Sequence, residues 1–377
     1  VSSKFNYLSF IDNKKNILVC PLDWGLGHAT RCVPLIHQFI AEGHQVIIGA
    51  DNNPLAFLKQ EFPQLKSITI PGYEVNYDEK GSSLQLLYAS IQFLKFIKKE
   101  HALIDEIVAE HNIDRIVSDN RYGLWSTKIE SIIITHQLYV KAPLGESFVH
   151  KKIEKLIRKF DQCWIPDVEG TPNLSGDLAH LKPFNHSHQF IGPLSRFSAL
   201  RALKNERRST LKIEAEYDII AIISGPEPQR TVFEKLVFNQ LKQAHLKAVI
   251  VRGLPSQNVT ANCHPKPAKG ETKAAVKREE ISSQSQNDGT LKIFNHLPTE
   301  ELFNYLQKSK VVVSRAGYSS IMDLATLGKK AILVPTPGQT EQEYLADYHI
   351  GKGTFYAQKQ SEFDLEKAVQ EMNSFYL

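Results

Sequence analysis

VSRAGYSSIMDLATLGKKAILVPTPGQTEQEYLA, residues 313–346, packs two buried strands and two helix starts into one βαβα unit. The first strand, residues 310–314, is a short valine-rich run of the kind buried on both faces of a parallel sheet. Ala316, Gly317, Ser319 and Ser320 then let the chain turn tightly into a helix. A helix start leaves backbone N–H groups unpaired. With the helix dipole they favour a phosphate, to which the two serine hydroxyls can add hydrogen bonds. Asp323 follows Ser320 by three residues and Ser319 by four, so its carboxylate stands on the same face one turn on, placed to accept two ribose hydroxyls. The unit reads as a seat for a nucleotide.

Beyond the second strand, residues 330–334, the chain offers two prolines and a glycine, then Gln339, Thr340, Glu341, Gln342 and Glu343. Gln339, Gln342 and Glu343 are candidate contacts to sugar hydroxyls. Thr340 and Glu343 also match the T-x-x-E capping box, which needs no ligand.

Strand and helix signals alternate on either side of this unit. In the first half, strands are expected at 16–21, 45–48, 67–70, 115–118, 131–135 and 162–165, with helices from about residues 28, 54 and 83. Residues 191–216 turn basic and lack a strand. A second series follows at 217–224, 247–252, 291–294, 310–314, 330–334 and 354–357. The expected fold is α/β, with two doubly wound Rossmann-like domains facing a cleft and ligands beyond the carboxyl ends of the strands. The expected division is an N-terminal acceptor-binding domain at 1–194, a linker at 195–215, a C-terminal nucleotide-sugar domain at 216–360, and a C-terminal helix at 361–377 returning to the N-terminal domain. Residues 256–289, polar and nearly devoid of large apolar groups, read as a mobile loop.

At 377 residues the chain is too long for one ordinary core, and 42% hydrophobic with 23% charged residues is a soluble, globular composition. The net charge of +4 does not call for a nucleic-acid partner. Cysteines at 20, 32, 163 and 263 lack metal or disulfide-framework spacing and read as reduced thiols. With neither a membrane span nor a secretory leader pattern, the expected location is cytoplasmic. Residues 84–99 and 148–160 are apolar helices bearing lysines. Each reads either as a packing helix with a solvated basic face or as a peripheral contact with the inner face of the cell membrane.

The first strand ends in PLDWGLGHATR, where Gly25 and Gly27 flank a turn that delivers His28 to a helix start. His28 fills the position that a dinucleotide fingerprint reserves for its last glycine, so a dinucleotide reading is poor. Imidazole titrates near neutrality and can take a proton from a hydroxyl, although His28 alone reads equally as a cap or core residue. Asp119 ends the fourth strand at the same sheet edge and could orient that imidazole, while Asp119-Asn120 is also ordinary turn chemistry. Arg31 and Arg121 flank the pair, either holding an anionic acceptor or pairing with Asp119. The His186-x-His188 pair reads as a polar loop feature rather than a metal site, and no metal is expected.

These motifs resemble those of GT-B glycosyltransferases of the family 28 type, which includes the enzyme that adds N-acetylglucosamine to the lipid-linked peptidoglycan precursor. SRAGYSSIMDLA is similar to that family's phosphate and ribose motif, PTPGQTEQEYLA to its donor-sugar motif, and the loop ending in His28 to its glycine-rich first loop. The chain departs from the peptidoglycan enzyme in having Asp323 for a glutamate, Glu343 for the second of two glutamines, and a first loop poorer in glycine. SGPEPQR, residues 224–230, stands where the family has a glycine-rich turn.

The resemblance implies an inverting, metal-independent hexosyltransferase. It would use a nucleoside diphosphate sugar, UDP-linked in that family, as co-substrate without a further cofactor, and an acceptor hydroxyl on a glycolipid or cell-envelope glycan. The implied donor-binding set is Gly225, Arg230, Leu297, Arg315, Gly317, Ser319, Ser320, Asp323, Gln339, Gln342 and Glu343. His28 and Asp119 would be catalytic, and Gly25, Gly27, Arg31 and Arg121 would bind the acceptor. A nucleotide-sugar epimerase of the same fold and a non-catalytic nucleotide-sugar sensor are the alternatives.

Overall fold

The computed structural model describes residues 14–72, 83–142, 145–206, 214–255 and 290–376. The expected mobile loop at 256–289, and Cys263 with it, lies outside the described residues.

The first lobe is a seven-stranded sheet of β1 (Asn16–Pro21), β2 (Gln45–Ala50), β3 (Lys66–Thr69), β4 (Arg115–Asp119), β5 (Glu130–Ile134), β6 (Gln162–Ile165) and β7 (His188–Phe190). All pairs are parallel, in the order β3-β2-β1-β4-β5-β6-β7. The edge strand β7 escaped the sequence reading because HQF is too short and polar to show a pattern. It gives His188 a strand position, not the loop expected of it. The second lobe repeats the plan with β8 (Tyr217–Ile222), β9 (Ala248–Val251), β10 (Leu291–Phe294), β11 (Ser309–Ser314), β12 (Ala331–Leu333) and β13 (Tyr356–Ala357), in the order β10-β9-β8-β11-β12-β13.

Each sheet reverses its winding once, between β1 and β4 in the first lobe and between β8 and β11 in the second. At such a switch point adjacent loops diverge and leave a crevice. The loop after β1 enters helix α1 (Gly27–Ala41), and Pro21 pairs in register with Asp119 of β4. His28 and Asp119 therefore emerge side by side. In the second lobe the matching loops are residues 223–228, and residues 315–317 at the start of α9 (Tyr318–Leu327).

The interlobe contacts are extensive. One cluster of buried apolar residues runs from Ile17, Phe39 and Trp164 in the first lobe to Val312, Ile321 and Leu345 in the second. The second lobe's outer face is closed by the C-terminal helix α11 (Leu365–Phe375). Its Leu365, Ala368 and Met372 join the cluster formed by Ile219, Phe233 and Val313. This corrects the expected return of the helix to the first lobe, because its apolar stripe is already buried against β12, β13 and α7 (Gln229–Gln243).

Helix α4 (Glu146–Ile157) spends its apolar stripe in the same way: Ile157 and the following Phe160 are buried, with Ile153 and Leu156 packed against them. Its lysines face outward, and Phe148 is left 63% exposed. Among the described residues no helix is long and apolar enough to cross a membrane.

Candidate active site

The site forms where α1 and α9 meet end to end. Neither helix start carries a side-chain cap or an acidic residue in its first turn. Two sets of unpaired N–H groups and two positive dipole ends therefore converge. The Ser319 hydroxyl donates to the Gly27 carbonyl at 2.7 Å and ties the two starts together. A Cβ added at Gly27 would lie 3.1 Å from that hydroxyl oxygen, which is why glycine suits this approach. Gly25 (φ +82°) and Gly225 (φ +111°) hold left-handed turns with open space where a Cβ would stand.

Ser319 and Ser320, expected to act alike, differ. The Ser319 hydroxyl is taken by the opposite lobe. Ser320 is half-buried, and its hydroxyl has no protein partner among the described residues. Asp323 accepts from Ser195 Oγ at 2.6 Å and faces Arg196 Nε at 3.6 Å. Burial raises its carboxyl above the usual range, with Arg196 and Ser195 opposing. A carboxylate has about four lone-pair sites, so these partners orient it and leave capacity for ribose hydroxyls.

Across the gap, His28 Nδ1 lies 3.2 Å from Asp119 Oδ1. The sequence reading brought these two together but underrated Arg31, whose guanidinium pairs with both Asp119 oxygens and lies 2.8 Å from the same His28 Nδ1. Asp119 is fully buried. Burial works to raise its carboxyl, but Arg31 and then His28 outweigh that and hold it at about 2. For His28, burial and the Arg31 charge lower the imidazole below 6.5 against the pull of Asp119. The ring is thus neutral near pH 7, and its side chain keeps 15% exposure.

Several residues expected to contact ligands have protein partners in this structure. Arg31 is buried, with its guanidinium on Asp119, His28 and His136 rather than turned to solvent. Arg121 is buried too: its guanidinium meets Glu100 at 2.6 Å and the carbonyls of Ile70 and Pro71. It anchors helix α3 (Ser83–His111) to the sheet edge. Arg315 donates to the carbonyls of Val334, Pro335 and Gln229 and lies 4.1 Å above the Phe233 ring, so it braces the loops from beneath. Burial lowers its pKa to about 9. The Leu297 side chain is in the apolar core.

Arg230 is spent on Glu227 at 2.7 Å and Glu234 at 2.6 Å. Arg230→Ala should therefore cost about 2 kcal/mol in urea unfolding and leave the donor KM unmoved. A large rise in donor KM with intact stability would restore the ligand role.

The donor-sugar segment begins helix α10 (Thr340–Gly351), whose N-cap is Gln339. The expected capping box does not form, because the Thr340 hydroxyl donates to Lys141 O of the first lobe at 2.7 Å. Glu343 instead accepts from Gly338 N at 2.9 Å. The Gln342 side chain is turned inward onto Thr336 N and Gln339. Glu341, which the sequence did not single out from its neighbours, also reaches across: its Oε1 lies 2.8 Å from His136 Nε2. His136 was also missed. Its signal was position, two residues beyond β5 at the same carboxyl edge as Asp119. Among the described residues no cluster of three or more His, Cys, Asp or Glu is arranged to hold a metal ion.

Residues 270–376 match the glycosyltransferase family 28 C-terminal domain, which spans the βαβα unit and α10. An uncharacterized glycosyltransferase of Methanosarcina acetivorans is 22% identical over 339 residues, covering 85% of this chain and 79% of that protein. The chain is a glycosyltransferase of GT-B fold whose second lobe carries a family 28 C-terminal domain. A shorter match, 37% identical over 70 residues, is to the UDP-N-acetylglucosamine--N-acetylmuramyl-(pentapeptide) pyrophosphoryl-undecaprenol N-acetylglucosamine transferase of Methylobacterium radiotolerans, covering 18% of this chain and 19% of that one. Among solved structures, Arabidopsis thaliana UGT89C1 complexed with UDP-L-rhamnose superposes with a TM-score of 0.56 at 13% identity, covering 97% of this glycosyltransferase and 90% of that chain. The spinosyn rhamnosyltransferase SpnG gives 0.55 at 13% identity over 96% and 90%. At these identities the structural likeness establishes the fold alone.

Proposed function

We propose that this glycosyltransferase moves a sugar from a uridine diphosphate donor to an acceptor hydroxyl, with inversion and without a metal ion. The observation that carries the reading is the meeting of two uncapped helix starts beside a neutral, carboxylate-paired imidazole. The diphosphate would lie against the N–H groups of α1 and α9 and the Ser320 hydroxyl, with the ribose hydroxyls on Asp323. As the sugar–phosphate bond breaks, charge develops on the leaving oxygen, and prearranged N–H donors stabilise it without reorganising.

His28 would accept the proton of the attacking hydroxyl at Nε2, while Nδ1–H donates to Asp119. Direct attack from the face opposite the leaving group inverts the anomeric centre. UGT89C1, which shares the fold, is described in complex with UDP and with UDP-L-rhamnose, which favours a uridine donor here.

The test is release of UDP from a panel of UDP-sugars, with and without acceptor extracts. Acceptor-dependent UDP release and transfer of radiolabel support the reading. Interconversion of the sugar without an acceptor would indicate an epimerase, and binding without turnover a sensor.

The pH profile follows from the sign of the His28 shift. The active form is neutral, and with the pKa lowered the neutral form predominates at pH 6.5, so kcat/KM should fall as the ring protonates at lower pH, with the midpoint of its acid limb below 6.5. An acid limb centred above pH 6.5 would contradict His28 as the base.

A further inference from the structure

The mechanism just given leaves His136 without a task, although its imidazole is buried among groups from both lobes. Arg31 NH1 lies 3.3 Å from its Nδ1, and Glu341 Oε1 lies 2.8 Å from its Nε2. Its ring stacks on Tyr318, the first residue of α9, with centroids 4.0 Å apart and planes 9° from parallel. Gln137 holds the other Glu341 oxygen. A guanidinium only donates and a carboxylate only accepts. A neutral His136 with its proton on Nε2 satisfies both at once. A polar chain therefore runs from Glu341 through His136, Arg31 and Asp119 to His28, crossing from one lobe to the other.

We propose that His136 is a positioning residue that couples docking of the donor-sugar helix α10 to the base-competent tautomer of His28. Two groups compete for His28 Nδ1: Asp119 Oδ1 at 3.2 Å and the Arg31 guanidinium at 2.8 Å. With the proton on Nδ1, the imidazole donates to Asp119 and Nε2 is open to an acceptor hydroxyl. If Arg31 donates to Nδ1, the proton sits on Nε2 and the ring cannot serve as base. His136 takes NH1 of that guanidinium and so fixes its plane against Asp119. Glu341 holds His136 in turn. Without Glu341 the His136 ring loses its fixed orientation, and the guanidinium, already 2.8 Å from His28 Nδ1, is no longer held to Asp119 and can donate wholly to His28. The inference rests on the assignment of His28 as base.

The test compares kcat and KM for His136→Leu, His136→Gln, Glu341→Ala and the His136→Leu/Glu341→Ala double variant, each first shown by circular dichroism to be folded. His136→Leu is expected to lower kcat about tenfold with acceptor KM unmoved. Glutamine can accept from Arg31 through its carbonyl and donate to Glu341 through its amide, so His136→Gln should restore most of that loss. Glu341→Ala should lower kcat by a similar factor, and the double variant should fall no further.

A double variant near the product of the single losses, or a glutamine variant as impaired as leucine, overturns the coupling. Should His136→Leu not fold, His136→Gln against Glu341→Ala still decides, since only the second breaks the chain. His28→Ala separates the two levels of the argument. Wild-type transfer by that variant removes the base assignment and this proposal together. A crippled His28→Ala beside an unaffected Glu341→Ala removes the coupling alone.

Discussion

Replacing His28 with alanine is expected to lower kcat by roughly 10² to 10⁴, the ordinary worth of a positioned general base. Donor affinity should survive, because the groups assigned to the diphosphate and ribose belong to the helix starts and Asp323, not to the imidazole. The contrast can be read by measuring turnover with a UDP-sugar beside titration calorimetry with UDP. A variant that transfers at the wild-type rate would leave the acceptor proton without its assigned destination. One that loses UDP binding as completely as turnover would make His28 a structural residue of the α1 start.

Arg31→Met should have the largest effect on folding. Asp119 is fully buried, its charge answered by Arg31 and its Oδ1 within hydrogen-bond reach of His28. Removing the guanidinium strands a carboxylate away from water, which typically costs about 3–5 kcal/mol. Urea unfolding monitored by tryptophan fluorescence would show it as a lowered midpoint. Arg31→Met/Asp119→Leu, which removes both charges, should recover much of the stability and remain inactive. If Arg31→Met unfolds like the wild type, the pair contributes no stability and Asp119 takes up a proton in the variant.

The sequence carried the architecture because both sheets are parallel and buried on two faces, which makes their strands continuous apolar runs such as ILVC at 17–20 and VVVS at 311–314. Loop chemistry carried part of the site. Gly25 and Gly27 announced a tight turn into α1, and Asp119 at the end of β4 had to emerge beside His28 once the sheet order was fixed.

Partner choice was not legible. Arg31, Arg121, Arg230 and Arg315 each look in sequence like a cation awaiting an anion, yet each is bound to a carboxylate or a backbone carbonyl that comes near only in the fold. Arg121 and Glu100 are 21 residues apart, and Arg315 and Gln229 are 86 apart. His136 and Glu341, 205 residues apart, met for the same reason and went unnoticed. Even adjacent residues parted: Ser319 went to the opposite lobe and Ser320 did not, a difference set by the approach of Gly27.

A crystal structure with a non-transferable UDP-sugar would show where the donor lies between the two helix starts. Diphosphate oxygens are expected within hydrogen-bond distance of the Ser319 and Ser320 backbone N–H groups, ribose hydroxyls on Asp323, and the anomeric carbon facing His28 across a space wide enough for one hydroxyl. A diphosphate bound away from the α1 and α9 starts, or an anomeric carbon turned from His28, would contradict it.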